Sequence, residues 1–245
     1  MAALTFFILR CTVTLRMNAF EILFEDRYII AVNKHCGELV QPDRSGSESL
    51  SFSLASYVSE RDCLKLPFLG VVHRLDRPVS GAVLFAKTEG ALRAFSSLFQ
   101  TREVQKTYWA VTDASPPESA GSLTHFIRTD KRIGKSFAFD DATEGSKEAI
   151  LDYRVAGKSE HYVFLEIKIR TGRQHQIRAQ LAKIGCHVKG DVKYGARRTN
   201  PGGGIHLHSR SIALRHPMTG EELSIVAPPP HDPLWDAFLR CMEIN

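Results

Sequence analysis

Cysteine is scarce in this chain, and no cysteine lies close to another. Five occur among 245 residues, at positions 11, 36, 63, 186 and 241, and none belongs to a C-x-x-C pair. An odd number of widely separated cysteines indicates neither a disulfide framework nor a zinc site. This usage is typical of a reducing compartment. We therefore expect a cytoplasmic protein that binds no metal.

Long apolar runs are also missing. The opening MAALTFFILRCTVTLR is interrupted by Arg10 and Arg16, which makes it too short and too charged to span a membrane, and it has no clear signal-peptide cleavage pattern. A strand-like run, FEILFE, begins at Phe20. We expect no membrane association. We also predict that residues 1–16 are a start-site extension without a structural role, and that residues 17–245 form a single domain.

A nucleotide-binding loop is the third absence. The triplet Gly134-Lys135-Ser136 matches the end of the phosphate-binding pattern G-x-x-x-x-G-K-[ST], but the first glycine of that pattern is replaced by Thr129. The sequence therefore does not support nucleotide hydrolysis. Together with the lack of a metal-ligand cluster, this predicts a protein that needs no cofactor.

Positive charge is present and is unevenly distributed. The whole chain has 32 Lys and Arg against 27 Asp and Glu, a net charge of +5. The segment from Arg170 to Arg198 alone holds eight basic residues and one acid, Asp191, so its net charge is +7 and the remainder of the chain is slightly acidic. Apolar residues and glycines alternate with these charges, which favours a folded anion-binding surface over a solvated tail.

Hydrophobic periodicity and turn residues predict strands and helices along most of the chain. The stretch 113–147 is polar and rich in Pro, Gly and Ser, and we interpret it as an excursion or a mobile insertion from the sheet. The predicted strands are two within 20–32, then 69–72, 81–87, 104–111, 162–170, 205–208, 211–214 and 223–226; the predicted helices are 48–61, 89–102, 173–184 and a short one at the C-terminus.

Two segments carry residues suited to chemistry. The loop VVHRLDRPVSG places one carboxylate, Asp76, between Arg74 and Arg77. Asp76 could equally cap a turn, with the arginines as surface charges, and the loop alone does not separate these readings. The segment RTGRQHQIR places Arg173 and Arg178 near the predicted start of a helix, where backbone N–H groups attract anions.

Taken together, these segments resemble a known family. The motifs H-R-L-D-R-P-x-S-G at 73–81, K-x-Y at 106–108, R-T-G-R-x-H-Q-I-R at 170–178 and G-D-x-x-Y-G at 190–195 are similar, in order and spacing, to those of RNA pseudouridine synthases of the ribosomal large-subunit synthase A type. The resemblance implies an α+β fold with a mixed, mainly antiparallel sheet, flanking helices and a central RNA-binding cleft. It also implies an isomerase that converts uridine to pseudouridine in ribosomal or transfer RNA.

The resemblance further implies roles for individual residues. Asp76 matches the essential aspartate, Tyr108 the tyrosine of the second motif, and Arg178 the basic residue that pairs with the aspartate. Arg74 matches the arginine that fills the space left by the flipped base, which offsets part of the few kcal/mol that unstacking costs. The remaining residues that we expect to contact RNA are Lys106, Arg173, His175, Arg197 and Arg198.

The reaction itself agrees with these residue types. It breaks the C1′–N1 bond and joins C1′ to C5, which requires a carboxylate but neither a redox agent nor a metal. Asp76 could add to the sugar, add to the base or remove a ribose proton, and these routes stay open. Tyr108 is the candidate for removing the C5 proton, directly or through water.

Some positions depart from the family pattern. Lys34-His35-Cys36-Gly37 stands where relatives often have K-P-S/A-G, and Val79 stands where Thr is common. The match begins within the first 25 residues, so we expect no N-terminal S4-like domain and hence a compact RNA target that is recognised by shape. We expect a monomer.

Two other classes of protein were weighed. A catalytically silent RNA-binding protein would share the basic surface but would not need Asp76 together with Tyr108. A glycosidic-bond hydrolase normally uses two carboxylates, and the first motif supplies only one. His206 and His208 share a strand face, but no further ligand lies at zinc-site spacing, so we interpret them as surface or hydrogen-bonding histidines.

Overall fold

The computed structural model describes residues 20–43, 46–63, 65 and 67–244. Eleven strands and four helices are assigned within these ranges, with one short 3-10 turn, and together they form the predicted α+β fold. The strands are β1 Ile22–Glu25, β2 Ile29–Lys34, β3 Gly70–Val71, β4 Ser80–Ala86, β5 Gln105–Thr112, β6 Ala120–Asp130, β7 Lys135–Phe139, β8 Lys147–Lys158, β9 Val163–Ile169, β10 Leu207–Arg215 and β11 Glu222–Val226. The helices are α1 Leu50–Asp62, α2 Glu89–Thr101, α3 Gln176–Lys183 and α4 Pro233–Ile244, and the 3-10 turn is Val192–Tyr194.

All the strands belong to a single sheet. Its order is β1-β2-β4-β10-β5-β9-β8-β6-β7, with β3 attached to β4 and β11 attached to β10. Every neighbouring pair is antiparallel except β4 and β10. The sheet is therefore mixed and mainly antiparallel, as the sequence predicts.

The parallel pair β4–β10 lies inside the sheet, at the point where the first motif enters β4. His208 lies opposite Ser80, and Ser209 lies opposite Gly81. Gly81 has a φ of +116°, and a Cβ there would lie 2.3 Å from the carbonyl oxygen of Ser209. Glycine is required because any side chain would collide with the neighbouring backbone. The Ser-Gly that ends the first motif thus allows β4 and β10 to approach each other directly beneath the loop that carries Asp76.

Each face of the sheet packs into its own hydrophobic core. Tyr108 and Leu165 point to one face, where they join a large core cluster with α1 and with Ile177 of α3. Trp109 and Phe164, one position along their strands, point to the other face and pack against α4. Successive residues of a strand point to opposite faces, so each strand contributes side chains to two cores. Both sets of side chains are apolar where helices cover both faces of the sheet.

The predicted excursion at 113–147 is wrong. This segment forms β6 and β7, and β6 pairs with β8 along Ala120–Ile127. The error has a physical reason: in β6 only His125 and Ile127 are buried, because this end of the sheet has little covering it. The alternation that marks a strand is weak in β6. β8 was also missed, although Ala149, Leu151 and Tyr153 are buried at alternate positions along it.

Two other boundaries also differ from the predictions. The third helix begins at Gln176 rather than at residue 173, because His175 has a left-handed backbone with a φ of 53°, which a helix cannot include. The two strands predicted at 205–208 and 211–214 are the single strand β10, whose pairing with β5 is interrupted by a register shift between Ser209 and Ser211.

The N-terminal extension, residues 1–16, lies outside the described residues. Its deletion is expected to change neither the melting temperature nor the activity, because every motif and the first strand lie downstream. Thermal unfolding of the full-length and shortened chains measures the first quantity, and single-turnover rates measure the second. A drop of several degrees on deletion would show that the extension packs on the fold.

Among the residues that the structure describes, no helix has both the length and the apolar character needed to cross a bilayer.

Candidate active site

A buried lysine holds the loop that carries Asp76. The side chain of Lys34, at the end of β2, is inaccessible to solvent, and its Nζ donates hydrogen bonds to the carbonyl oxygens of His35 at 2.8 Å, Arg77 at 3.1 Å and Val79 at 2.6 Å. Burial lowers the pKa of Lys34 to about 8. Three acceptors nevertheless match the three protons of an ammonium group. Lys34 therefore fixes the backbone on both sides of Pro78.

Asp76 forms an ion pair with Arg178, as the family resemblance implies. Arg178 Nη1 donates to Asp76 Oδ2 at 2.9 Å. The side chain of Asp76 is 25% exposed, whereas that of Arg178 is 5% exposed. The carboxylate thus stays open to the cleft while its partner lies beneath it, 102 positions away in the sequence.

A second carboxylate holds Arg178 from behind. Arg178 Nε donates to Asp191 Oδ2 at 2.6 Å, and Nη2 donates to Asp191 Oδ1 at 2.8 Å, a two-pronged arrangement that fixes the guanidinium plane. Burial alone would lower the pKa of Arg178, but the hydrogen bonds and charges of Asp191 and Asp76 raise it above its ordinary value. Arg178 is therefore a permanently charged bridge between a buried acid and the acid of the cleft.

Asp76 lies in a basic cleft with a volume of about 730 Å³. That volume is within the range of small-molecule sites. Six cationic side chains and two acids line it, so the cleft suits a polyanion. The cations are Arg74, Arg77, Lys106, Arg173, Arg178 and Lys193, and the acids are Asp43 and Asp76.

Tyr108 lines the same cleft from β5 and is 8% exposed. Burial raises the pKa of Tyr108 to about 12, and a hydrogen bond with Ser209 opposes part of that rise. A phenol with this pKa keeps its proton at neutral pH. Tyr108 is therefore a neutral phenol whose deprotonation is disfavoured by burial.

The other residues expected to contact RNA fall into two groups. Arg74, Lys106, Arg173 and His175 all line the cleft. Arg74 is exposed, Lys106 is half-buried, and Arg173 Nε donates to the carbonyl oxygen of Glu148 at 2.9 Å. The second group, Arg197 and Arg198, is exposed and lies on the segment between the 3-10 turn and β10, outside the cleft lining.

His206, just before β10, and His208, within β10, are buried rather than on the surface. His206 is hydrogen-bonded to Asn200 at 2.9 Å and to Asp232 at 3.0 Å. His208 is hydrogen-bonded to Ser80 at 2.9 Å and to the carbonyl oxygen of Ala227 at 3.0 Å. Burial lowers the pKa of both, and that of His208 to about 4. They are neutral connectors of the core, and within the described ranges no group of three or more His, Cys, Asp or Glu could hold a metal ion.

Sequence reasoning missed three polar residues around Asp76. Lys34 and Asp191 are buried supports of the ion pair, and Tyr194 is hydrogen-bonded to His175. Asp191 and Tyr194 belong to the G-D-x-x-Y-G motif, so the motif itself was the available signal. For Lys34, the signal was a lysine at the end of an otherwise apolar strand.

Comparisons with known proteins identify the family and the fold. The family model described as RNA pseudouridylate synthase matches residues 28–183. A tRNA pseudouridine synthase C of Yersinia pestis is 32% identical over 227 residues, which cover 84% of this chain and 85% of that protein. A ribosomal large subunit pseudouridine synthase D of Xylella fastidiosa is 31% identical over 227 residues, which cover 86% of this chain and 66% of that protein.

One further relative and one solved structure are also similar to this chain. An RNA pseudouridine synthase of Synechocystis is 29% identical over 218 residues, which cover 86% of this chain and 65% of that protein. The solved structure of human RNA pseudouridylate synthase domain containing 4 superposes with a TM-score of 0.72 at 25% identity, covering 91% of this chain and 93% of that one. The chain therefore has the pseudouridine synthase fold and belongs to the RNA pseudouridylate synthase family, whose members are isomerases.

Proposed function

We propose that this protein isomerises uridine to pseudouridine in ribosomal or transfer RNA, and that Asp76 is its catalytic carboxylate. One observation carries the proposal: a partly exposed carboxylate is held by a buried arginine at 2.9 Å, in a cleft whose charged lining is mainly cationic. The cations suit phosphates, and the carboxylate is the one group in the first motif that can act on a nucleoside. Both RNA classes appear in the names of similar proteins.

The cleft supports the following roles. Cations around the rim bind the RNA backbone, and Arg74, which is exposed, occupies the space that the flipped uridine leaves. Asp76 acts on the nucleoside to break the C1′–N1 bond, after which the uracil turns and C5 bonds to C1′. Tyr108 packs against the base as a neutral phenol and relays the C5 proton through water. Arg178 holds the carboxylate of Asp76 in its orientation throughout.

Two alternatives lead to different products. A silent RNA-binding protein leaves the uridine unchanged, whereas a glycosidic-bond hydrolase releases free uracil. The second deserves a direct test because Asp43 also lines the cleft, so two carboxylates are present there.

The decisive experiment maps pseudouridine in RNA from cells with and without the protein, and then incubates the purified protein with the identified RNA. We expect pseudouridine at specific positions and no free uracil. Uracil release without pseudouridine would overturn the proposal in favour of a hydrolase, and an unchanged RNA that still binds would favour the silent protein.

Activity is expected to survive exhaustive chelation and to need no added nucleotide. The proposed chemistry uses a carboxylate and requires no electron transfer or Lewis acid. The measurement compares initial rates before and after dialysis against a strong chelator. Loss of the rate, with recovery on adding zinc, would contradict the expectation.

Replacing both Arg197 and Arg198 by Ala is expected to weaken RNA binding without changing the chemical step. Each phosphate contact contributes about 0.9 to the slope of log affinity against log salt on duplex RNA and about 0.7 on single strands, so the slope should flatten by up to about two. Because both residues lie outside the cleft lining, single-turnover rates at saturating RNA should stay near wild type.

The matched control removes two exposed charges from another surface. Lys158 ends β8 and Arg240 lies on α4, which covers the face of the sheet opposite the large core cluster of α1 and α3. Replacing both by Ala changes the net charge equally and should leave the slope unchanged. Equal flattening in the two double variants would mean that net charge, and not the position of Arg197 and Arg198, governs binding.

A further inference from the structure

A line of polar contacts leads from the sheet edge to the carboxylate of Asp76. The backbone N–H of Ser136, in β7, donates to the hydroxyl oxygen of Tyr194 at 2.8 Å. That hydroxyl lies 2.8 Å from Nδ1 of His175. On the other side of the imidazole ring, Nε2 of His175 lies 3.6 Å from Oδ2 of Asp76. Four groups on four separate segments are thus aligned, and all but Asp76 are largely buried.

The hydrogen bond from Ser136 limits the donor and acceptor roles that Tyr194 can take. A backbone N–H can only donate, so the Tyr194 oxygen is the acceptor from Ser136. The single proton of that hydroxyl is then free to point at Nδ1 of His175. Burial raises the pKa of Tyr194, so the hydroxyl keeps this proton at neutral pH. Tyr194 can therefore donate to the ring.

The state of the imidazole follows from its neighbours. Burial lowers the pKa of His175, and the positive charges of Arg178 and Lys193 act in the same direction, while Asp76 and Asp191 oppose them. A neutral ring carries one proton. If Nδ1 accepts from Tyr194, that proton resides on Nε2, the nitrogen that faces Asp76.

We propose that Tyr194 and His175 are positioning residues that present an Nε2–H group to Oδ2 of Asp76. The inference rests on the proposed catalytic role of Asp76. Arg178 and His175 then both approach Oδ2, at 2.9 and 3.6 Å, which leaves Oδ1 for the nucleoside. The longer distance exceeds a hydrogen bond. A movement of a few tenths of an ångström on RNA binding makes it one, as is common for contacts that tighten only in the substrate complex.

His175 has an unusual backbone conformation, which allows two substitutions to be distinguished by their effects on stability. Its φ of 53° is a left-handed conformation that costs a residue other than glycine free energy, and Asn tolerates it best. Substitution by Asn therefore suits the backbone and places an amide near the position of Nδ1, but it supplies no group at Nε2. Substitution by Gln suits the backbone less and places its amide near the position of Nε2. Of the two variants, His175→Asn should therefore be the more stable and His175→Gln the more active.

The direct test is nitrogen NMR of the protein labelled at histidine, without RNA, at neutral pH. His175 signals are identified by their loss in His175→Gln. We expect a neutral ring with the proton on Nε2, and a shift of the Nδ1 signal in Tyr194→Phe. A proton on Nδ1, a charged ring, or unchanged signals in Tyr194→Phe would overturn the inference.

Kinetics provide the second test. In single-turnover assays at saturating RNA, we expect a loss of about 100-fold for His175→Asn and less than about tenfold for His175→Gln, with RNA affinity within about twofold of wild type for both. Melting temperatures should rank the other way, with Asn at or above Gln. If rate followed melting temperature, so that Asn were the more active variant, His175 would be merely structural and the inference would be wrong.

These results separate this inference from the proposed function. Full activity of Asp76→Asn would reject the catalytic role of Asp76 and the inference with it. An inactive Asp76→Asn combined with a proton on Nδ1 of His175 would reject only the inference.

Discussion

Replacing Asp76 by Asn is expected to lower the rate of isomerisation by at least about 10⁴-fold and to leave RNA affinity within a few-fold of wild type. Asn keeps the size of Asp but not its charge, and an amide can neither attack the nucleoside nor remove a proton from it. The fold should persist because Arg178 keeps its two hydrogen bonds to Asp191. Pseudouridine formed in a single turnover, together with RNA affinity, measures both quantities.

The matched control is Asp43→Asn, since Asp43 is the other acid that lines the cleft. If Asp76 is the catalytic carboxylate, the control should retain most of the rate. Substantial turnover by Asp76→Asn, or an equal loss in Asp43→Asn, would contradict the assignment. The second result would indicate a pair of carboxylates and would favour the hydrolase alternative.

The sequence predicts the centre of the site better than its surroundings. Asp76 and Arg178 are 102 positions apart and form the expected ion pair, because their motifs could be compared with a family. Asp191 and Lys34 were not predicted as partners of the site. Their role depends on which buried groups the sheet brings together, and no local pattern contains that information.

The differences in secondary structure have local causes. Strands that have apolar residues on both faces, such as β4, or a clear alternation, such as β9, were predicted, and so were the helices. The edge pair β6 and β7 was missed because few of its side chains are buried. The start of α3 was misplaced by three residues because a left-handed histidine has no signature in the sequence. That residue, His175, was predicted as an RNA contact; it lines the cleft and lies beside Asp76.

The second large effect is expected from Arg178→Met. The substitution leaves the carboxylate of Asp191, which is 1% exposed, without its partner in the interior. Breaking a buried ion pair from one side costs about 3–5 kcal/mol, which in a chain of this size lowers the melting temperature by roughly 6–20 °C. Activity should be lost as well, because the guanidinium that donates to Oδ2 of Asp76 is then missing. This variant alone cannot separate a catalytic defect from unfolding.

A double variant makes that separation. Arg178→Met/Asp191→Asn removes both the guanidinium and the buried carboxylate of Asp191. Replacing both members of a buried ion pair is often close to neutral for stability. We expect the melting temperature to recover most of its loss while the single-turnover rate stays at least about 100-fold below wild type. Asp76 itself is not substituted in this variant, so the missing rate reports the loss of the guanidinium that holds Oδ2. If activity returned together with stability, Arg178 would only neutralise Asp191, and Asp76 would work without a cationic partner.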